Sequence, residues 1–217
     1  MSKLHIVIPA AGNGQRFRDA GYDKPKPYID VCGRPMIDRV IENLTPDREH
    51  VLHVLMPEML KRPSRGAVET IVQADVDPEA PLLIANCDQL VAFDVNDFIN
   101  TDLDGRIVTF RSTKDHHSYV DTEDGLVRGI VEKEVVGNQA VTGVYYFKRA
   151  RDFYDAAYEV IAQDKRVKNE YYVSSAIEIM LEAGARIGTY EAPSAMLGTP
   201  DELQLFEAAA VVAKDVL

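Results

Sequence analysis

The first forty residues constrain the fold of this chain more than any other segment. Leu4–Pro9 is a short apolar run rich in β-branched residues, and it leads into the glycine-rich sequence of residues 10–14. Pro35 then suits the first turn of a helix, where its missing N–H costs no hydrogen bond. Apolar residues recur at helical spacing after it: Met36, Ile37, Val40 and Ile41. A strand, a loop to about Gly33 and a helix predict the start of a βα unit.

The remaining apolar pattern predicts one α/β domain. Val51–Met56 and Pro81–Ala85 are typical of interior strands of a parallel sheet. Short strands from Arg106 to Phe147, with a turn at Glu123-Asp124-Gly125, indicate an antiparallel or mixed edge. Helices are expected around residues 153–161 and 173–181, and a last one begins at Thr199-Pro200, with Glu202 completing a capping box. We expect a single Rossmann-like domain over residues 1–217, with a mixed, mostly parallel sheet flanked by helices.

Composition excludes several classes of protein. The 217 residues are 46% hydrophobic and 27% charged, which is ordinary for a globular chain. A formal charge of −11 argues against nucleic acid and anionic membranes as partners. No apolar run approaches the ~20 residues of a membrane-spanning helix. Two cysteines and no signal-like start favour a cytoplasmic location.

The segment from Gln15 to Arg39 is a basic exception, with six cations against four acids. The glycine-rich sequence that leads into it, Gly12-Asn13-Gly14-Gln15-Arg16-Phe17, fails the dinucleotide fingerprint because Phe17 stands where the third glycine is needed. Two glycines can still let backbone N–H groups approach phosphate oxygens, and Arg16 can grip them. A plain strand-to-helix turn would also need glycine, so the loop alone leaves both interpretations open.

Two further features point to phosphate chemistry. Lys24-Pro25-Lys26-Pro27 presents lysines on a stiff tether, because each proline fixes its own φ and restricts its neighbour. Asp88 follows a buried strand, beside Asn86 and Gln89, where a carboxylate suits Mg²⁺. A proline-rich turn and a loop-capping aspartate are the plainer alternatives. Histidines at 50, 53, 116 and 117 indicate no metal site, and no serine or cysteine sits in a nucleophile-elbow setting.

In this order the motifs resemble those of the sugar-phosphate nucleotidyltransferases. The family's opening pattern is matched by Ala11–Phe17, Pro25-Lys26-Pro27 and Gly33-Arg34-Pro35-Met36. Further blocks with family counterparts lie along nearly the whole chain: residues 66–70, 131–133, 140–147, 170–172 and 197–203. The setting of Asp88 is most similar to that in a capsule- or surface-polysaccharide-associated subgroup.

The resemblance implies a nucleotide-diphospho-sugar transferase domain, Mg²⁺ as cofactor, and an NTP and a small phosphorylated acceptor as substrates. Residues 1–100 would bind the nucleotide and residues 101–217 the acceptor. The resemblance implies catalytic roles for Arg16, Lys26 and Asp88, with Asp88 also the metal ligand. It implies nucleotide contacts for Ala10, Ala11, Gly12, Asn13, Gly14, Gly66 and Asn86, and acceptor contacts for Glu132, Lys133, Gly143 and Glu170.

Three departures from the family pattern leave questions open. Ser194–Leu197, with Met196, stands where the family usually has a second metal carboxylate. The segment between Met56 and Gly66 is short, so the nucleobase is not assigned, and Glu134 replaces the proline of Glu-Lys-Pro. A cytidylyltransferase for a non-sugar phosphate, a glycosyltransferase-like enzyme and a non-catalytic nucleotide-sugar-binding module remain alternatives. Homo-oligomerisation is left open.

Overall fold

The computed structural model describes residues 2–215, with side chains through Val211. These residues form the strands β1 (Leu4–Pro9), β2 (Asp30–Val31), β3 (Arg34–Pro35), β4 (His50–Leu55), β5 (Leu82–Ala85), β6 (Gln89–Val91), β7 (Gly105–Arg111), β8 (Ser118–Glu123), β9 (Leu126–Glu132), β10 (Gln139–Phe147), β11 (Ile187–Glu191) and β12 (Ser194–Met196). They also form the helices α1 (Gln15–Asp19), α2 (Met36–Leu44), α3 (Ala67–Ile71), α4 (Val95–Ile99), α5 (Ala150–Ala162), α6 (Val173–Glu182) and α7 (Pro200–Asp215).

The central sheet has eight strands in the order β4-β1-β5-β10-β7-β11-β9-β8. β1 pairs in parallel with β4 and β5, and β11 pairs in parallel with β7. β10 runs antiparallel to β5 and β7, and β9 runs antiparallel to β11 and β8. Within this sheet, all strands except β9 and β10 therefore share the direction of β1. The predicted mixed, mostly parallel sheet is confirmed.

Helices cover both faces of this sheet and create two hydrophobic cores. Along β1, Leu4, Ile6 and Ile8 join the core beneath α2 and α4, whereas Val7 joins the core beneath α3, α5 and α6. Successive side chains of a strand point to opposite faces, so a strand buried on both sides must be apolar throughout. The run that opens the sequence is apolar except at His5 for this physical reason.

A third, smaller core fixes the segment between β1 and α2. Phe17, Ile29, Val31 and Met36 pack with Leu197 and Leu203, from the segment around the start of α7. The N-terminal loop and the C-terminal helix are therefore held against each other. Within residues 2–215, no helix is both long and apolar enough to cross a membrane.

Two local predictions are wrong. The segment before α2 is not an uninterrupted loop, since it contains α1, a 3₁₀ turn at Lys26–Tyr28 and the β2–β3 hairpin. The Val51–Met56 run is not an interior strand either. It forms β4, at the edge of the sheet, where Val51 and Leu52 are 36% and 39% exposed. Apolar composition alone does not distinguish an edge strand from an interior one.

Other local predictions are confirmed. β5 lies inside the sheet, between β1 and β10. Asp124 and Gly125 adopt φ values of 52° and 76° in the turn between β8 and β9. At the start of α7 the Glu202 backbone N–H donates to Thr199 Oγ1 at 3.2 Å, which confirms Thr199 as the cap, whereas the Glu202 carboxylate lies near His116 and Lys114 and does not complete the predicted capping box.

Candidate active site

A cleft of about 830 Å³ opens at the carboxyl ends of β1 and β5. Because these strands are parallel neighbours, the loops that follow them meet at one edge of the sheet. Every residue to which the resemblance assigns a role lines this cleft: Ala10, Ala11, Gly12, Asn13, Gly14, Arg16, Lys26, Gly66, Asn86, Asp88, Glu132, Lys133, Gly143 and Glu170. The structure thus brings both halves of the chain to one site.

The glycine-rich loop packs directly against the lysine tether. Gly14 has φ 59° and forms the N-cap of α1, and a Cβ on it would lie 3.0 Å from the Lys26 Cβ. Phe17 is buried and anchors α1. Arg16, its neighbour, lines the cleft and makes no ion pair with any described residue. Its guanidinium is therefore available for an anion.

Lys26 and Asp88 form an ion pair inside the cleft. The Lys26 Nζ donates to Asp88 Oδ2, and the two side chains are 18% and 17% exposed. Burial by itself disfavours the charged lysine, but the Asp88 carboxylate outweighs burial and raises the pKa of Lys26 above its ordinary value. Pro27 is buried in the same 3₁₀ turn, which fixes the backbone that carries Lys26.

Two glycines allow backbone to approach the cleft more closely than another residue could. Gly143 has φ 94°, and a Cβ on it would lie 2.2 Å from Asn86 Nδ2. The Asn86 backbone N–H donates to the Gly143 carbonyl at 2.9 Å, which links β10 to the loop after β5. Gly66 has φ 116°, and a Cβ on it would lie 2.6 Å from the backbone nitrogen of Tyr171. Both positions require glycine on steric and conformational grounds.

The cleft is also lined by a hydrogen-bonded network of acids and hydroxyls. Glu132 Oε2 accepts from the hydroxyls of Ser118 and Ser174, the latter at 2.7 Å. Lys133 Nζ donates to the Tyr172 hydroxyl and lies 4.0 Å from the centroid of its ring. Burial lowers the pKa of Lys133. This network presents charged oxygen and nitrogen atoms of the kind that bind sugar hydroxyls.

Tyr172 also connects Lys133 to Glu170. The Tyr172 hydroxyl donates to Glu170 Oε2, so the predicted acceptor residues Lys133 and Glu170 belong to one network. Burial raises the pKa of Tyr172. The hydroxyl therefore stays protonated at neutral pH and serves as a donor to the carboxylate.

The cleft holds a second cluster of side chains that the sequence did not predict. His116, His117 and Glu202 all line it, and His116 Nε2 lies 3.4 Å from Glu202 Oε1. Burial lowers the pKa of His117 to about 4, so that ring is neutral at pH 7. No spacing rule relates a loop at residue 116 to the first turn of a helix at residue 202. Only the fold brings them together.

Cys87, His5 and His53 have no part in the candidate chemistry. Burial raises the pKa of the Cys87 thiol to about 11, so it is protonated at neutral pH and a poor nucleophile. His53 Nε2 lies 2.9 Å from His5 Nδ1, with the two rings stacked. Neither histidine lines the cleft.

Mg²⁺ fits the donor chemistry around Asp88. The place that a Cβ on Gly198 would occupy is 3.0 Å from Asp88 Oδ2 and 3.5 Å from Glu202 Oε2, so glycine leaves room between two carboxylates. Oxygen ligands of this kind suit Mg²⁺. Among residues 2–215 there is no group of three or more His, Cys, Asp or Glu side chains that could hold a metal by themselves. An ion here would complete its coordination with substrate phosphates and water.

Comparisons with known proteins support the resemblance in sequence and fold. No protein-family model matches the chain. Bifunctional protein GlmU of Brevibacillus brevis is 27% identical over 256 residues, which cover 100% of this chain and 53% of that protein. The chain thus spans about half the length of these curated relatives. A shorter match, 45% identical over 60 residues, links 27% of this chain to 25% of the 2-C-methyl-D-erythritol 4-phosphate cytidylyltransferase of Dechloromonas aromatica.

The fold has a close counterpart among solved structures. The nucleoside-diphosphate-sugar pyrophosphorylase from Vibrio cholerae RC9 superposes with a TM-score of 0.76 at 22% identity, over 94% of this chain and 99% of that one. The likeness to a capsule-associated subgroup stays a prediction. The chain is thus similar in sequence to GlmU over its whole length, and in fold to a nucleoside-diphosphate-sugar pyrophosphorylase over nearly its whole length, as its motifs predict.

Proposed function

We propose that this chain is a Mg²⁺-dependent nucleotidyltransferase that joins an NTP to a sugar 1-phosphate, or to a similar small phosphate, and releases pyrophosphate. The observation that carries the proposal is the meeting of Arg16, Lys26 and Asp88 in one cleft with the hydroxyl-binding network around Glu132. Phosphate chemistry and polyol recognition then share one site. The full-length likeness to GlmU, a homologue, supports it further.

In the proposed reaction, a phosphate oxygen of the acceptor attacks the α-phosphorus of the NTP. A new P–O bond forms, the bond between the α-phosphorus and the bridging oxygen breaks, and pyrophosphate leaves with the electron pair. The acceptor phosphate is already ionised at neutral pH, so no general base is required. Catalysis then consists of positioning and charge neutralisation.

The cations on the nucleotide side have distinct proposed roles. Arg16 contacts the β- and γ-phosphates and the leaving pyrophosphate, and the N–H groups of residues 10–14 cradle the same oxygens. Lys26 leaves its ion pair with Asp88 and binds both the α-phosphate and the acceptor phosphate, so that it bridges the two. At an effective dielectric of ~20, one opposite-charge pair at 4 Å contributes about 4 kcal/mol, which offsets the repulsion of one like-charge pair at the same distance.

Asp88 would hold Mg²⁺, which, when bound, supplies further neutralisation of phosphate charge. On the acceptor side, Glu132 and Glu170 would accept hydrogen bonds from acceptor hydroxyls, and Lys133 would donate to its oxygens. Residues 1–100 form the proposed nucleotide half and residues 101–217 the acceptor half. The nucleobase is left to experiment, since the segment between Met56 and Gly66 is short.

A cytidylyltransferase acting on a non-sugar phosphate is the second candidate. The 60-residue match to 2-C-methyl-D-erythritol 4-phosphate cytidylyltransferase, at 45% identity, favours it because it is the stronger local similarity. Both candidates share the nucleotide chemistry and differ in the acceptor. The acceptor network around Glu132 gives the sugar phosphate precedence.

Pyrophosphate release tests the proposal and separates its alternatives. The assay crosses CTP, dTTP, UTP, GTP and ATP, each with Mg²⁺, against a panel of sugar 1-phosphates and small polyol phosphates. Release that needs one NTP, one acceptor and an intact Asp88 is the expected result. Nucleotide binding without any release across the panel would contradict the proposal and favour a non-catalytic binding module. Sugar transfer from an NDP-sugar would favour a glycosyltransferase.

A further inference from the structure

Strand β12, which pairs with β6 next to Asp88, carries no carboxylate. β12 pairs with β6 so that Met196 lies opposite Gln89, immediately after Asp88. The Leu197 backbone N–H then donates to the Asp88 carbonyl at 2.8 Å. Met196 lines the cleft, but its thioether is a soft donor that Mg²⁺ does not favour. A second carboxylate must therefore come from elsewhere in the fold, if the site has one.

Glu202 is placed to provide it. The residue lies in the first turn of α7, and its side chain is only 12% exposed. Its Oε1 atom faces His116 Nε2 at 3.4 Å and Lys114 Nζ at 3.9 Å. Its Oε2 atom faces Gly198 and Asp88 instead. Oε1 thus lies near the His116 ring and the Lys114 ammonium group, and Oε2 lies on the side of the cleft that holds Asp88.

The distances are compatible with one shared ion. Asp88 Oδ2 and Glu202 Oε2 lie 3.0 Å and 3.5 Å from the same point, the Cβ position of Gly198, so their separation does not exceed the sum of these distances. Two ligands of a single Mg²⁺, each at about 2.0–2.1 Å, lie roughly 3–4 Å apart. On ion binding, rotation of a carboxylate side chain would bring the two oxygens to this spacing. Gly198 has no Cβ to block the space between them.

We infer that Glu202 supplies the second protein oxygen of the Mg²⁺ site, in place of the acid that the segment at Met196 lacks. This inference rests on the proposed function. It extends the site from the strand loop at Asp88 to the start of α7. The core that packs Leu203 against Phe17 and Leu197 holds that helix in place.

Binding of Mn²⁺, followed by the electron paramagnetic resonance signal of the free ion, tests the inference without relying on activity. The full chain is titrated alone and with an α,β-methylene NTP that cannot react. Asp88→Asn and Glu202→Gln are compared with Asp201→Asn, which removes an exposed carboxylate from the same helical turn. Thermal melting of each variant shows whether it is folded. Glu202→Asp, which keeps the charge but shortens the side chain, replaces Glu202→Gln if the latter unfolds.

We expect Glu202→Gln to weaken Mn²⁺ binding by at least about 10-fold, since even partners beyond the ligands change metal affinity by about 10–100-fold. Asp201→Asn should bind Mn²⁺ as the wild type does. In the Glu202→Gln background, Met196→Asp should restore affinity, because it places a carboxylate beside Asp88. Unchanged Mn²⁺ binding by a folded Glu202→Gln variant overturns the inference.

The same titration distinguishes this inference from the proposed function. If Asp88→Asn weakens Mn²⁺ binding and Glu202→Gln does not, only the inferred role of Glu202 is contradicted. If neither variant changes Mn²⁺ binding, the role of Asp88 as a metal ligand in the proposed function is contradicted as well. If Glu202 serves only to hold His116, both Glu202→Gln and His116→Ala lower the melting temperature and leave Mn²⁺ affinity unchanged.

Discussion

Lys26 and Asp88 are 62 residues apart in the chain and meet as an ion pair in the cleft, each side chain less than one-fifth exposed. The pair joins the lysine tether after β1 to the loop after β5. The Asp88 carboxylate keeps Lys26 charged in a site that is largely removed from water. In the proposed reaction this ion pair separates when the substrate phosphates bind, because an anion competes with Asp88 for the ammonium group of Lys26.

Removal of any of the three central charges should lower turnover by at least about 100-fold, since Arg16 and Lys26 are preorganised contacts to the phosphates and Asp88 would hold the Mg²⁺ that neutralises them. The variants are Arg16→Ala, Lys26→Ala and Asp88→Asn, and single-turnover pyrophosphate release is the measurement. Lys24→Ala is the matched control for Lys26, because Lys24 is on the same tether but exposed and paired with Asp30. Near-normal rates in all three variants would contradict the assignment.

Gly143→Ala should damage both stability and nucleotide binding. Its Cβ would lie 2.2 Å from Asn86 Nδ2, at a φ of 94° that alanine rarely adopts. We expect a loss of about 1–3 kcal/mol in the free energy of unfolding, measured by urea denaturation, together with weaker NTP binding. Gly137→Ala is the control, since its Cβ would meet nothing within 4 Å. Equal stability of the two variants would show that Asn86 relaxes freely.

Ser174→Ala should raise the KM for the acceptor while leaving the KM for the NTP nearly unchanged. The Ser174 hydroxyl donates to Glu132 Oε2 at 2.7 Å, and its loss frees that carboxylate to rotate. A hydrogen bond to a charged group contributes about 1.5–3 kcal/mol, which corresponds to roughly a 10-fold change or more. Ser174→Thr keeps a hydroxyl and should restore the acceptor KM. An equal rise in both KM values would argue against a specific role on the acceptor side.

Acid should destabilise the fold partly through His117. Burial lowers its pKa to about 4 in the folded chain, against about 6.5 when unfolded, so the unfolded state binds more protons between these values. Its contribution to stability is therefore complete above about pH 6.5 and is lost as the pH falls toward 4. Urea denaturation at pH 7, 5.5 and 4.5 should show a flatter pH dependence for His117→Gln than for the wild type. Parallel curves for the two proteins would exclude this role.

Much of the fold and of the site follows from local sequence. Leu4–Pro9 is apolar except at His5, as a strand buried on both faces requires, and β1 is such a strand. The order of glycine loop, Lys26 and Asp88 placed all three at one cleft, because the carboxyl ends of parallel strands share an edge. The edge position of β4 could not be predicted from the sequence, because an apolar run looks the same in a strand with one neighbouring strand as in a strand with two.

By itself, the sequence determined the alternation of strands and helices, the glycines that permit close approach and the charges offered to phosphate. These depend on side-chain chemistry and short-range periodicity, which are written in consecutive residues. The tertiary structure alone decided that Glu202, 114 residues after Asp88, lies beside it across Gly198. It also decided that His116 meets Glu202 and that Ser118 and Ser174 hold Glu132. Such contacts arise from the packing of distant segments into a common core, which no local spacing encodes.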